Sequence, residues 1–101
     1  MIRWVRTAQI GPGKQADAMA FAKDICAHVE SVTGTKVNFF VQHGGPYGRI
    51  CWQSDFDGLG SYQEQFGQLM SDEGFGQKVA NAGADGLFTT GHTRDSLWSQ
   101  T

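Results

Sequence analysis

The sequence has little charge, little proline and little cysteine: 18% of its 101 residues are charged, two are proline and two are cysteine. Eight basic and ten acidic residues give a net charge of -2, and no run of charged residues is longer than two. Proteins that bind nucleic acid or an anionic membrane usually carry a basic patch. The sequence therefore predicts neither nucleic acid nor a membrane among the partners.

Long apolar runs are also missing. No stretch approaches the ~18 consecutive apolar residues of a membrane span, and the N-terminus alternates polar and apolar residues instead of pairing a basic stretch with an apolar block. Cys26 and Cys51 have no CxxC spacing, so neither a zinc site nor a thioredoxin-type site is supported. We expect a mature, soluble, cytoplasmic chain with two buried free thiols; a disulfide between them is the alternative.

Hydrophobic residues, by contrast, make up 40% of the chain and include seven phenylalanines. This content is typical of globular proteins, and the length fits a single domain over residues 1–101. Glycine is abundant at 14 residues, about twice the usual ~7%. Most glycines fall at or near the ends of the expected elements, but Gly60 and Gly67 lie in the interior of a helix and Gly91 in the interior of a strand. There we expect close packing or room for a ligand.

The periodicity of apolar residues predicts four strands and three helices. The strands are expected over 2–10, 36–42, 49–55 and 87–98, and the helices over 14–33, 58–70 and 73–84. Asp57 and Asp72 are placed to cap the last two helices, and the second helix is expected to bury Leu59, Tyr62 and Phe66. The order β-α-β-β-α-β predicts a ferredoxin-like α+β fold, a four-stranded antiparallel sheet with the helices on one face.

Alternation along the strands predicts which side of the sheet the helices cover. Trp4 and Ala8 fall on the helix side, whereas Val5, Phe40 and Cys51 fall on the opposite side among polar residues. A face with this many apolar groups is unfavourable in water. A chain this short also buries only about 60–65% of its unfolded surface. Both points predict a homodimer in which two copies cover each other's open sheet faces.

Two stretches in the second half of the chain resemble dimeric α/β-barrel proteins, most of all the NIPSNAP-like branch. They are Gly48-x-Ile50-x-Trp52-x-x-Asp55-Phe56-Asp57-x-Leu59-x-x-Tyr62 and Ser71-Asp72-x-x-Phe75-x-x-Lys78-Val79. The resemblance implies a homodimer whose sheets face each other as a barrel, with a ligand pocket between each sheet and its own helices. The superfamily includes monooxygenases, polyketide cyclases, lactone isomerases and haem-degrading enzymes.

No cofactor is expected. Haem-degrading members carry an Asn on the first strand, a Trp on the third and a His on the second helix, and only Trp52 has a counterpart here. Gly58-x-Gly60 lacks the third glycine of a dinucleotide fingerprint, since Gln63 stands in its place. The histidines show no metal-ligand spacing, so no metal site is expected either.

Arg6 is the most informative polar residue, because it lies on the same strand face as Trp4 and Ala8. A guanidinium there is costly unless it is paired or faces a cavity. One interpretation has its stem packed and its head either in solvent or paired with an acid such as Asp55 or Asp57. The other makes it an anchor for an anion or a carbonyl in a pocket.

Four further residues complete the candidate site. Trp4, Trp52 and Tyr62 are expected between sheet and helices, either as core or as the flat walls of a ligand pocket. His92 is expected in the middle of the last strand, where it could serve as a catalytic acid or base or hold a structural hydrogen bond. His28 is expected at the surface beside the apolar stripe of the first helix.

Three functions remain open on these observations. The first is a NIPSNAP-like homodimer that binds a small aromatic or acidic molecule between sheet and helices. The second is a cofactor-independent monooxygenase, cyclase or isomerase in which Arg6 polarises a carbonyl and His92 moves a proton. The third is a structural or interaction module with a filled core. A cavity of ~300 Å³ or more lined by Trp4, Arg6 and Trp52 would favour the first two.

Overall fold

The computed structural model describes residues 1–101 and contains four strands and three helices. In chain order these are β1 (Ile2–Gln9), α1 (Gln15–Thr33), β2 (Asn38–Val41), β3 (Arg49–Phe56), α2 (Leu59–Met70), α3 (Glu73–Ala84) and β4 (Arg94–Ser99). The strands form one antiparallel sheet in the order β2-β3-β1-β4. The ferredoxin-like α+β fold expected from the sequence is confirmed. None of the helices has the length and hydrophobicity needed to cross a membrane.

The main core lies between the two central strands and α1. Ala8 of β1 and Ile50 and Trp52 of β3 pack against Ala22 and Ile25 of α1. The face assignment from strand alternation is therefore confirmed. Register agrees with it, because β1 and β3 pair over their full lengths, from Ile2 opposite Phe56 to Gln9 opposite Arg49.

α1 packs closely because its buried stripe is made of small residues. Ala18 and Ala22 are fully buried, and Ile25 is nearly so. The helix ends at Gly34, whose φ of 76° lets its N–H bond the carbonyl of Glu30. Only glycine adopts this left-handed conformation without strain.

Two polar contacts, one turn apart on α1, link α3 to α1. Asp72 caps α3 by accepting from the backbone N–H of Phe75 at 2.7 Å, as its sequence position predicted. The same carboxyl oxygen lies 2.6 Å from Nε2 of His28 on α1. Lys78 of α3 pairs with Asp24 of α1 at 2.6 Å. His28, expected at the surface beside the apolar stripe, is half-buried and contacts α3, a contact that the sequence did not predict.

The last strand is shorter than expected, and its first half is not a strand. Leu87 and Phe88 pack into the core, and the chain then turns, with the N–H of His92 bonding the carbonyl of Thr89. Gly91 has a φ of 82°, a left-handed turn conformation that breaks the strand. The strand propensity of the threonines on either side of Gly91 misled the sequence prediction, and β4 begins only at Arg94.

α2 also departs from expectation. Its N-cap is Gly58, without a side-chain hydrogen bond, so the predicted cap at Asp57 is wrong. No residue of the helix is buried, although burial of Leu59, Tyr62 and Phe66 was expected. Side chains added at Gly60 or Gly67 would meet nothing within 4 Å. Close packing is therefore not what favours glycine at these positions.

Candidate functional site

The four residues expected to bind a ligand line a single cavity. Trp4 and Arg6 come from β1, Trp52 from β3 and Tyr62 from α2. The cavity measures about 110 Å³, and 14 of its 19 lining residues are hydrophobic. It is smaller than the ~300 Å³ at the lower end of ordinary ligand pockets, but the interior between sheet and helices is not filled.

Aromatic rings form two groups in and around the cavity walls. On the sheet side, Trp52 lies 5.9 Å from Phe39 and 5.7 Å from Phe88, centroid to centroid. On the α2 side, Tyr62 lies 5.4 Å from Phe56 and 5.9 Å from Phe66. These spacings are those of favourable aromatic pairs. The rings therefore support one another and hold the walls in place.

The guanidinium of Arg6 forms a bidentate pair with Asp95, a partner that the sequence analysis did not propose. Its Nε and one terminal nitrogen donate to the two oxygens of Asp95 on β4 at 2.6 and 2.8 Å. The expected partners Asp55 and Asp57 are not used, and Asp55 instead pairs with Arg3 on the other face of the sheet. The guanidinium carbon also lies 5.4 Å from the centre of the Trp4 ring.

The electrostatics of this pair follow from its partial burial. Burial alone raises the pKa of the Asp95 carboxyl, but the hydrogen bonds and charge of Arg6, with a smaller contribution from Trp4, leave that pKa below its usual range. The bond to Asp95 raises the pKa of Arg6. The pair is thus charged and mutually neutralised at neutral pH, and the cavity wall offers no free cation.

His92 lies outside the cavity. It is exposed in the turn before β4, not in the middle of a strand as expected. It does not share a strand face with Phe88 and Arg94, and it does not line the cavity that contains Arg6. The structure therefore does not bring the proposed catalytic pair together at one site.

Two residues of the cavity lining carry unpaired polar atoms: Trp52, which the sequence analysis named, and Gln65, which it missed. The Nε1 of Trp52 and the Oε1 of Gln65 are buried and have no hydrogen-bond partner in the protein. Leaving a buried polar group unpaired costs about 1–3 kcal/mol. Gln65 is three residues after Tyr62 on α2, so helical spacing was the signal that could have placed it on the same wall.

Cys26 of α1 also lines the cavity, although the sequence analysis did not place it there. Burial raises the pKa of its thiol, with a smaller opposing effect from the Trp52 indole. Such a thiol is protonated and unreactive at neutral pH. Cys51 lies on the opposite face of the sheet, where burial also raises its pKa, and both cysteines are free. The expectation of free thiols is confirmed, although each is only half-buried.

The open face of the sheet is a second candidate surface. Val5 lies at its centre on β1, and Trp98 of β4 and Phe40 of β2 are 63% and 52% exposed. The polar side chains between them are already paired, as Arg3 is with Asp55. The face thus combines exposed aromatics with internally satisfied polar groups.

No group of three or more His, Cys, Asp or Glu side chains is arranged to hold a metal ion. No model of a known protein family matches the chain, and no curated protein matches it either.

Solved structures with the same fold cover nearly the whole chain. An uncharacterised NIPSNAP domain protein from Burkholderia xenovorans has a TM-score of 0.82 at 14% identity, over 100% of this chain and 95% of that one. A NIPSNAP family protein from Agrobacterium tumefaciens has a TM-score of 0.81 at 17% identity, over 99% and 92%. A Deinococcus radiodurans protein proposed to be an antibiotic biosynthesis monooxygenase has a TM-score of 0.74 at 13% identity, over 100% and 93%. The fold of these proteins is the fold of this chain.

Proposed function

We propose that the protein binds a small, uncharged aromatic molecule in the cavity between sheet and helices. The observation that carries this proposal is the convergence of Trp4, Trp52 and Tyr62 on one largely apolar cavity. Flat aromatic walls favour flat apolar ligands through stacking and edge contacts. The NIPSNAP-like fold supports the proposal without naming a ligand.

The sequence left aromatic and acidic ligands open, and the electrostatics favour the aromatic one. Arg6 is the one cationic side chain in the cavity wall, and its guanidinium is already hydrogen-bonded to both oxygens of Asp95. An anionic ligand would have to displace Asp95 from Arg6 or stay in the cavity without a counter-charge. A neutral ligand faces neither cost.

Size limits the ligand to about one ring. A cavity of ~150 Å³ lined by apolar side chains accommodates benzene, and this cavity is about 110 Å³. Because this volume is smaller than that of the benzene site, even a single substituted ring needs α2 to move outward. That helix has no buried residue to hold it in place.

Binding is tested by titrating toluene and phenol into the protein by calorimetry, with a variant that fills the cavity. Cys26→Leu adds bulk to the cavity wall, and we expect it to weaken toluene binding about tenfold, the equivalent of 1.4 kcal/mol of overpacking. Cys51→Leu makes the same change on the other sheet face and should leave the affinity unchanged. Absence of binding to the wild type, or equal affinities for both variants, would reject the proposal.

We also propose that the protein is a homodimer through the open sheet face. Exposed Trp98 and Phe40 flank Val5 there, and no helix covers them. Two copies related by a two-fold axis would bury each other's patch. Apolar surface of this kind on a small chain gains stability from such burial.

Light scattering tests the dimer. The wild type should have a mass of about 22 kDa by two-fold assembly, twice the 11.0 kDa of the chain. Val5→Asp places a charge at the centre of the patch and should yield a monomer with unchanged helical circular dichroism. Gln63→Asp adds the same charge on exposed α2 and should remain dimeric. A monomeric wild type would contradict this proposal.

A cofactor-independent monooxygenase is the second candidate, supported by the shared fold with the Deinococcus radiodurans protein. It is tested by following turnover of phenolic and β-diketone substrates. Because His92 is exposed and outside the cavity, we expect His92→Ala to turn over any substrate at the wild-type rate. A lower rate in that variant would show that His92 takes part in the reaction.

We also propose a cytoplasmic location, which the free thiols support.

A further inference from the structure

The two unpartnered polar atoms in the cavity wall are chemically complementary. The Nε1 of Trp52 can only donate a hydrogen bond, and the Oε1 of Gln65 can only accept one. Both atoms are buried and neither makes a hydrogen bond of good geometry within the protein; the Trp52 indole lies beside the Cys26 thiol, whose sulfur is only a weak acceptor. Buried polar groups in folded proteins are nearly always paired. A group that occupies the cavity is thus the natural partner for both.

Neighbouring contacts hold the two side chains. The Trp52 ring is only 6% exposed and lies between Phe39 and Phe88. The side-chain nitrogen of Gln65 donates to the hydroxyl of Ser61, one turn earlier on α2, at 3.4 Å, which leaves Oε1 as the free atom. Groups fixed before binding lose little conformational freedom when a ligand arrives.

We propose that Trp52 and Gln65 form a donor–acceptor pair that selects a neutral ligand bearing a hydroxyl group. This inference rests on the proposed function, because it requires that the cavity binds a ligand. A hydroxyl oxygen accepts from Trp52 while its proton is donated to Gln65. An ether satisfies only Trp52, and a hydrocarbon satisfies neither.

Three probes of similar size separate these cases. Phenol donates and accepts, anisole only accepts, and toluene does neither. We expect phenol to bind the wild-type protein about tenfold more tightly than toluene, with anisole between them, as the net value of one or two hydrogen bonds implies. The indole N–H resonance of Trp52, assigned by its loss in Trp52→Phe, should move downfield with phenol and with anisole but not with toluene.

A substitution on α2 tests the acceptor separately. Gln65→Leu removes Oε1 and should abolish the preference for phenol over anisole while preserving or strengthening toluene binding. Gln68→Leu is the matched control, because Gln68 is exposed on the same helix and does not line the cavity. It should keep the wild-type order of affinities.

The outcomes separate this inference from the proposed function. Binding of all three probes with equal affinity, unchanged in Gln65→Leu, would overturn the donor–acceptor pair and leave ligand binding in place. That is also the result expected if water alone pairs the two atoms. Failure of all three probes to bind would overturn the proposed function, and the pair with it.

Discussion

α1 and α2 lie on the same side of the sheet, but they pack in different ways. α1 buries Ala18, Ala22 and Ile25, whereas α2 buries no residue at all. Ala22 and Ile25 of α1 pack in the core with Ala8 and Ile50 of the sheet. Large side chains on α2, among them Tyr62, Phe66 and Met70, line a cavity instead. The fully buried residues of these two helices thus belong to α1, and the cavity lies between α2, the sheet and the side of α1 that carries Ile25 and Cys26.

Truncation of a core residue beneath α1 should have the largest effect. Ile50 is 1% exposed and packs in the cluster with Ala22 and Ile25. Ile50→Ala should lower the free energy of unfolding by about 2–5 kcal/mol, measured by urea denaturation. Leu59 of α2 is 51% exposed, so Leu59→Ala should cost less than about 1 kcal/mol. Equal losses in the free energy of unfolding of the two variants would mean that packing beneath α1 and beneath α2 contributes equally to stability.

Asp95→Asn should change what the cavity accepts. The substitution removes the negative charge that is paired with the Arg6 guanidinium. A ligand carboxylate can then pair with Arg6 in place of Asp95. We expect benzoate to bind the variant about tenfold more tightly than the wild type, which corresponds to 1.4 kcal/mol. Phenol affinity should stay unchanged in the same calorimetric titration.

The chain provides a matched control for this change. Asp55→Asn frees Arg3, the other arginine held by both oxygens of an aspartate, but on the opposite face of the sheet. Benzoate affinity should then remain at the wild-type value. A gain in both variants would show that any freed arginine attracts benzoate, independent of the cavity.

The same contrast explains which elements could be predicted from the sequence. α1 and α3 were placed within a residue of their bounds, because periodic apolar residues and the signals at Gly34 and Asp72 act locally. The burial of α2 was predicted wrongly, since its apolar stripe looks like that of any packed helix. Whether such a stripe meets a core or a cavity depends on the distance between helix and sheet, which is a property of the whole fold.

The site was partly predictable for a similar reason. Strand alternation and helical spacing put Trp4, Arg6, Trp52 and Tyr62 toward the same layer, and the structure brings them to one cavity. The partner of Arg6 was missed because Asp95 lies 89 positions away in sequence. The register of β4 against β1, which places the two residues opposite each other, could not be read once Gly91 had been taken as part of the strand.

Substitution of two glycines, one in α2 and one at the end of α1, should change the free energy of unfolding by a smaller amount and in opposite directions. A side chain at Gly67 would meet nothing within 4 Å, so Gly67→Ala should raise the free energy of unfolding by about 0.4–1 kcal/mol by restricting the unfolded chain. Gly34, with a φ of 76° at the end of α1, should respond in the opposite sense. There Gly34→Ala forces alanine into a left-handed conformation that costs about 1–2 kcal/mol. Stabilisation in both variants would contradict this account.

The contact between α1 and α3 should give the smallest effect, visible in the pH dependence of stability. The hydrogen bond from His28 and the N–H of Phe75 hold the pKa of Asp72 below its usual range. Because the folded-state pKa lies below the unfolded-state value of about 3.9, this stabilisation is present above about pH 4 and is lost as pH falls through the folded-state pKa. Asp72→Asn keeps a good helix cap but cannot titrate.

Urea denaturation between pH 6 and pH 3 measures how much the Asp72 carboxylate contributes to stability. The wild type should lose more stability on acidification than Asp72→Asn does, while Asp55 and Asp95, whose pKa values are also lowered, keep part of the slope in both proteins. Gln77→Ala, on the exposed side of α3, should follow the wild-type curve. Identical slopes for wild type and Asp72→Asn would mean that the contact between α1 and α3 does not depend on the charge of this carboxyl. The packing of α1 against its neighbours would then rest on its buried residues and on the ion pair between Lys78 and Asp24.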